Sequence, residues 1–298
     1  MWITGLLSAV CFSLMSVTVS HFGKDFTASE FLLGRSLVGI ILLAPLLFKR
    51  NANLTLSPLL IIRGIVGTAA IMIFLYMIQE IGAGTAATLH YTSPIFVTLL
   101  GIFFMREKLT VQRLLALILV ITGVCLPSFH NIDSISSNLI MLGCCGAFLS
   151  SISFFLLKLM TPQISEIAIY WYFCLIQFLL QVPLSFYSDS SALQIRYTHL
   201  LHTNVTPCIA VGGFACLAQV LMNNSFKHLN ATTASLLNLL SIPFTVLIER
   251  VIFNKDYSSL QYLMIALIFG GVLILRLKLT ARALDSRNDQ RKSISICR

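Results

Sequence analysis

Gly84-Thr85-Ala86-Ala87-Thr88-Leu89-His90-Tyr91-Thr92-Ser93-Pro94, in the first half of the chain, has a counterpart in the second half. That counterpart is Thr232-Thr233-Ala234-Ser235-Leu236-Leu237-Asn238-Leu239-Leu240-Ser241-Ile242-Pro243. At a spacing of 148 residues Ala83 falls on Ala231, Thr85 on Thr233, Ala86 on Ala234, Leu89 on Leu237, Ser93 on Ser241 and Phe96 on Phe244. Gly64 with Gly212, upstream, and Gly123 with Gly271, downstream, extend the match. The prolines stand one residue out of register. In both copies small residues lead into a proline inside an apolar run, which points to a duplicated unit.

The two stretches lie in the fourth and ninth of ten apolar runs. The runs are 2–22, 27–48, 59–79, 85–105 and 111–126, then 139–160, 167–186, 205–226, 231–253 and 260–277. A membrane-spanning helix needs about 20 largely apolar residues. These runs are continuously apolar rather than alternating, so they read as helices and not as barrel strands. Composition agrees. The 298 residues are 57% hydrophobic and 10% charged, with a mean hydropathy of +0.89, against roughly 25% charged residues in soluble domains. The first run begins Met1-Trp2-Ile3 without a basic segment or a small-x-small cleavage site, so it is expected to be a retained span. The expected fold is an all-α integral membrane protein of ten transmembrane helices, arranged as two inverted five-helix repeats at 1–128 and 138–278, with a basic cytoplasmic tail at 279–298. Five spans per repeat is an odd number, so the second copy enters the membrane upside down relative to the first.

Basic residues set the orientation. With the N-terminus inside, Lys49, Arg50, Arg63, Arg106, Lys108, Arg113, Lys158, Lys227 and seven tail residues lie on the cytoplasmic side, against Lys24, Arg196 and Lys255 outside. Positive residues concentrate on cytoplasmic loops, so both termini are expected in the cytoplasm of a multi-pass protein of the inner membrane. The net charge of +9 is then a topology signal rather than a nucleic-acid footprint. The eight cysteines fall almost wholly within apolar runs, without metal-ligand spacing, and read as packing residues. Tyr170-Trp171-Tyr172 reads as part of an interfacial aromatic belt.

The stretch Ala86-Ala87-Thr88-Leu89-His90-Tyr91-Thr92-Ser93-Pro94-Ile95-Phe96-Val97, closing at Arg106-Glu107-Lys108-Leu109, resembles the drug/metabolite transporter superfamily, specifically its ten-helix EamA-like members. It is similar to the family's small-residue opening, its Tyr-Thr-Ser-Pro step and its Gly-Glu-Lys-Leu ending. Phe31-Leu32-Leu33-Gly34-Arg35 is similar to the family's arginine-bearing second span. The resemblance covers essentially the whole chain and implies a cytoplasmic-membrane carrier for amino acids, nucleosides, cofactors or drugs. The second half departs from the pattern at Asn254-Lys255-Asp256 and at Glu249-Arg250.

Polar side chains within spans are costly and belong on the bundle interior or a wet cavity. The repeat pairs Tyr76 with Asn224 and His90 with Asn238. With Tyr91, Ser93, Gln219, Asn223 and Ser241 they are expected to ring one substrate cavity, its hydrogen-bonding and aromatic groups suiting a polar or zwitterionic organic solute. His90, a histidine well inside a span, is either a proton carrier or a packing residue. Pro94 and Pro243 each weaken a helix mid-span and are expected to act as hinges. Glu249 and Arg35 lie at similar depths and are candidates for an ion pair, with Glu249 as a coupling carboxylate. Neither metal nor cofactor is expected, because no His-Glu-x-x-His motif or acidic cluster appears.

The expected function is secondary active transport of a small organic metabolite, amino-acid-like and with export favoured, by alternating access. Uptake of a nucleoside- or S-adenosyl-type metabolite is the alternative, and a membrane-embedded enzyme on lipid substrates is the alternative of another class. No phosphate-binding Walker motif is present, which disfavours ATP-driven pumping. The expected partners are the solute, the lipid bilayer and a proton as coupling ion, with no nucleic acid; monomer and homodimer stay open.

Overall fold

The computed structural model describes residues 2–23, 25–49, 57–81, 86, 89–107, 110–126, 136–187, 203–254, 256 and 258–275. The expected tail at 279–298 lies outside the described residues, as do Lys24, Arg50, Lys108, Arg196 and Lys255. Among the described residues the secondary structure is helical, without strands. The helices are α1 (Trp2–Phe22), α2 (Ala28–Lys49), α3 (Pro58–Ile81), α4 (Ser93–Met105), α5 (Val111–Cys125), α6 (Ser137–Met160), α7 (Glu166–Tyr187), α8 (Thr206–His228), α9 (Ala231–Asn238), α10 (Ser241–Phe253) and α11 (Ser259–Leu275). Seven helical stretches are long and apolar enough to cross a membrane, with α9 and α10 counted as one; α4, α5 and α11 are shorter apolar helices. Their outward faces carry Ile3, Ile41, Phe103, Phe104, Met141, Val251 and Ile252, all exposed. Apolar side chains turned outward in such numbers match a lipid surrounding rather than water.

Local signals set the helix ends. Thr27 and Glu30 form a reciprocal capping box at α2: the Thr27 N–H donates to Glu30 Oε2 (2.8 Å) and the Glu30 N–H to Thr27 Oγ1 (3.2 Å). Thr110 caps α5 by accepting from the Arg113 N–H. At their far ends α4 and α10 stop on Arg106 and Asn254, both in the left-handed region with φ of 52° and 49°.

The two halves repeat in three dimensions. Helices α4 and α10 have 13 residues each, and the residues of one map onto those of the other at the sequence spacing of 148. Proline interrupts α2 at Pro45 and α7 at Pro183, the same place in each helix. The connection between the second and third helices is longer in the second half, 188–205 against 50–57, so the first two helices of each half correspond at a shorter spacing. Contacts recur with partners exchanged. Gly5 lies against Leu237 and Ser225, and Gly143 against Leu89 and Met77. Gly212 lies against Val38, and Gly64 against Ile176. Gly123 meets Leu267 and Ile268, and Gly271 meets Leu119 and Val120. A Cβ at Gly64 would come within 2.5 Å of Ile176, so the absent side chain is what lets α3 and α7 approach. Exchanged partners of this kind are the mark of approximate twofold symmetry. With an odd number of crossings per half, the axis lies in the membrane plane.

The fourth and ninth runs, each carrying a proline, are irregular at the same place. Each is interrupted by a tight turn, at Tyr91-Thr92 and at Leu239-Leu240, where Thr92, Leu239 and Leu240 keep right-handed helical backbone angles. The Thr92 N–H bonds Leu89 O just as the Leu240 N–H bonds Leu237 O. Proline explains the break: Pro94 and Pro243 lack an N–H for the carbonyl four residues back and clash with it. They stand in the first turns of α4 and α10, where the missing donor costs nothing.

Candidate functional site

The polar side chains of the membrane interior gather in three places. The first runs along α8, where Gln219, Asn223 and Lys227 form a stripe at a spacing of four residues, one helical face. Arg35 Nη2 donates to Gln219 Oε1 (3.2 Å), Gln219 Nε2 to Asn223 Oδ1 (3.2 Å) and Asn223 Nδ2 to Glu166 O (3.0 Å). Lys227 closes the chain with a 2.9 Å salt bridge to Glu166. Five residues on three helices thus connect the bundle interior to the end that carries the N-terminus. Gln219 and Asn223 are buried, as expected, and Asn224 beside them is half-buried.

The second place surrounds the break in the fourth span. The His90 ring packs on Phe74, with centroids 4.5 Å apart, and Nε2 pairs with Ser150 Oγ at 3.3 Å. Tyr91 stacks edgewise on His90 and lies beside Ser241, the first residue of α10. The break of one half thereby touches the break of the other. Ser93 and Ser241 are buried at the starts of α4 and α10, and Tyr76 is half-buried on α3. Asn238 sits at the end of α9, its Oδ1 buried without a hydrogen-bond partner.

The third place closes the N-terminal end of the bundle. Lys158 Nζ donates to the Phe226 and Leu229 carbonyls at 2.7 and 2.6 Å. Glu107 Oε1 accepts from the Ala231 N–H at 3.2 Å. The Asn230 amide oxygen accepts from Arg113. Helices α4, α5 and α6 together hold the α8–α9 turn.

The candidate residues therefore fall into two groups rather than one ring: Arg35, Gln219 and Asn223 in one, His90, Tyr91 and Ser241 in the other. No ion pair joins Arg35 to Glu249 among the described residues. Glu249 is buried on α10, which packs against α1, whereas Arg250 turns outward to Asp256 (3.0 Å).

Two readings of the sequence are corrected. Tyr170 and Tyr172 are buried rather than interfacial, and Trp171 donates from Nε1 to Ile40 O at 3.2 Å; these aromatics fill the interface of α7 with α2 and α3. Arg63, counted among the loop cations, is 3% exposed. It lies about 8 Å inside α3 at 1.5 Å per residue. Its guanidinium rests over the Phe173 ring at 5.1 Å, and that of Arg35 rests over the same ring at 5.8 Å. Gly67 makes the space: a Cβ there would stand 2.7 Å from the Phe173 ring. Lys158, Phe173 and Ser150 were also missed, because single residues in apolar or loop surroundings carry no pattern.

Away from these clusters, a groove of about 530 Å³ runs between α2 and α8, and its lining from Leu33 to Ile209 is almost wholly apolar.

The sequence profile described as "EamA-like transporter family" matches residues 1–129 and 137–277. The chain is similar to the pseudopaline exporter CntI of Pseudomonas aeruginosa, 25% identical over 90% of this chain and 91% of that protein. It is similar to human solute carrier family 35 member G1, 29% identical over 41% of this chain and 34% of that one. A crystal structure at 15% identity superposes with a TM-score of 0.76, covering 95% of this chain and 97% of the other, which shows a shared fold.

Proposed function

The chain belongs to the EamA-like transporter family, and from that premise we propose that it is a secondary active carrier exporting an amino-acid-like metabolite by alternating access. It is a multi-pass membrane transporter of small solutes, not an enzyme. The finer reading rests on one observation above the rest: each half contains a span broken at the same place, and the breaks meet at Tyr91 and Ser241. Broken helices at a repeat interface offer polar groups to a solute at mid-membrane and let one half rock on the other. In this reading His90, Tyr91, Ser93, Asn238 and Ser241 line the solute side of that junction, Tyr76 and Asn224 add to the lining, and Gln219 and Asn223 form a separate polar group with Arg35. Pro94 and Pro243 start the segments that swing.

In this reading the protein lies in the cytoplasmic membrane with both termini inside. The Lys158 and Glu107 contacts close the cytoplasmic end, and opening that end breaks them. The exporter among its relatives supports the outward direction. His90 and Glu249 are the groups through which a proton gradient would drive transport. The test is uptake into inverted proteoliposomes of a panel of labelled amino acids under an imposed pH gradient. Saturable, gradient-dependent uptake of one solute that Asn238→Leu slows supports the reading. Gradient-independent uptake that ignores the substitution overturns it.

A further inference from the structure

Arg35 and Arg63 are two full positive charges inside the membrane-spanning bundle, 8% and 3% exposed. A guanidinium stays protonated at any physiological pH, and a cation within a span needs a partner or a wet cavity. The contacts of these two do not neutralise them. Arg35 donates to the neutral Gln219 and faces the neutral Tyr170 hydroxyl, and Arg63 has one hydrogen bond, to the Ile169 carbonyl at 3.4 Å, so neither gains a counter-charge from these partners. Their shared contact with the Phe173 ring holds both cations in place and removes no charge. The titratable groups felt by Arg63 are Cys174, Arg35 and Tyr170, none of them a carboxylate. Both Nε atoms are buried without a hydrogen-bond partner. So are both amide atoms of Gln177. Gly39 sits on Cys174, and the antiparallel run of α2 and α7 from that contact brings Gln177 level with Arg35. Two like charges held against one ring, with unused donors around them, form an incomplete arrangement that an anion completes.

We propose that Arg35 and Arg63, gathered around Phe173, are an oxyanion site that receives the carboxylate of the transported solute. The proposal rests on the carrier reading above and names the solute's chemical class. A carboxylate fits because it accepts two parallel N–H bonds from one guanidinium and turns a repulsive pair into a charge-balanced triad. The site is continuous with Gln219 and Asn223, which extend from it towards the N-terminal end of the bundle.

The experiment is thermal unfolding of the purified full-length protein in detergent at constant ionic strength, titrated with glutamate, succinate or inorganic phosphate. Succinamide serves as the uncharged control and potassium chloride as the reference. A ligand of the folded state raises its melting temperature by mass action. The expected result is a saturable rise with the carboxylates and none with succinamide. Because each substitution removes one charge of a buried pairing, Arg63→Gln and Arg35→Gln should each weaken the titration by about 100-fold or more. Arg63→Lys, which keeps the charge and loses the fork, should weaken it less, and it decides the matter if the glutamine variants do not fold. Stabilisation by phosphate alone overturns the carboxylate assignment. No oxyanion effect beyond chloride, up to the solubility of each salt, overturns the site. Proteoliposomes separate this failure from failure of the carrier reading. Gradient-driven transport of a solute lacking any anionic group, unchanged in Arg63→Gln, removes the oxyanion site and keeps the carrier. Carboxylate binding with no transport of any panel member keeps the anion site but removes the solute assignment.

Discussion

Replacing Lys158 by Met should open the N-terminal end of the bundle without unfolding the rest. Methionine keeps most of the aliphatic stem and its packing while removing the ammonium from the Phe226 and Leu229 carbonyls. Those carbonyls belong to the last turn of α8 and to its C-cap residue, where helix geometry leaves them without intrahelical partners. Hydrogen bonds to a charged donor contribute about 1.5–3 kcal/mol each. Lys158 is only half-buried, so solvent takes back part of both. A net loss of about 2–3 kcal/mol is the working figure, which is a factor of roughly 30 to 150 in a local opening equilibrium. The assay is amide hydrogen exchange of the purified protein, followed by mass spectrometry. The reporters are the N–H groups of Leu229, Ala231 and Ala234, bonded to Ser225 O, Glu107 Oε1 and Asn230 O. Exchange there should accelerate by that factor, while α5 and α11 stay as protected as in the parent. Unchanged exchange at these amides refutes the idea that Lys158 holds the α8–α9 turn. Acceleration spread evenly over all helices refutes a local latch and indicates general destabilisation.

Three further outcomes follow from the same geometry. Gly212→Ala places a Cβ 2.6 Å from Val38 Cβ and 2.8 Å from Gly34 O and should cost about 1–3 kcal/mol. Gly213→Ala, next to it, meets nothing within 4 Å and should be neutral or stabilising by up to about 1 kcal/mol; melting temperatures of the two variants compare them directly. Arg106→Gly should raise the melting temperature, because Arg106 holds φ of 52° in a region that costs a side chain about 1–2 kcal/mol. Asn238→Leu and His90→Phe should each lower the rate of solute uptake about tenfold or more while leaving the melting temperature within a few degrees of the parent, since losing a precisely placed hydrogen-bonding group costs at least about 1.4 kcal/mol in the transport step.

The repeat was legible because its marks are ones that sequence carries well. Glycines at fixed spacing, Gly64 with Gly212 and Gly123 with Gly271, stand where helices meet too closely for a side chain, and each pair keeps its contacts in the folded protein. The breaks were half legible. Pro94 and Pro243 announced a disturbance, but Leu239 and Leu240 are good helix formers, and only the clash four residues before each proline decides where the helix stops. The charged site was hardest to read. Arg63, six residues from the start of α3, is as compatible with snorkelling to the interface as with pointing inward, and only the space left by Gly67 for Phe173 sends it inward. Lys158 is similar: its partners are main-chain carbonyls from another helix, which leave no trace in residue type. Gln219 and Asn223, spaced four apart on α8, are buried, and the same spacing continues to Lys227.

The most direct test of the transport account is counterflow in proteoliposomes containing only this protein. Vesicles preloaded with an unlabelled carboxylate-bearing amino acid are diluted into a trace of the labelled compound. A carrier that exposes one site to each side in turn should accumulate label transiently above its equilibrium level, and only in preloaded vesicles. Label that merely equilibrates, at a rate indifferent to what the vesicles contain, would mean an open pathway and would contradict alternating access.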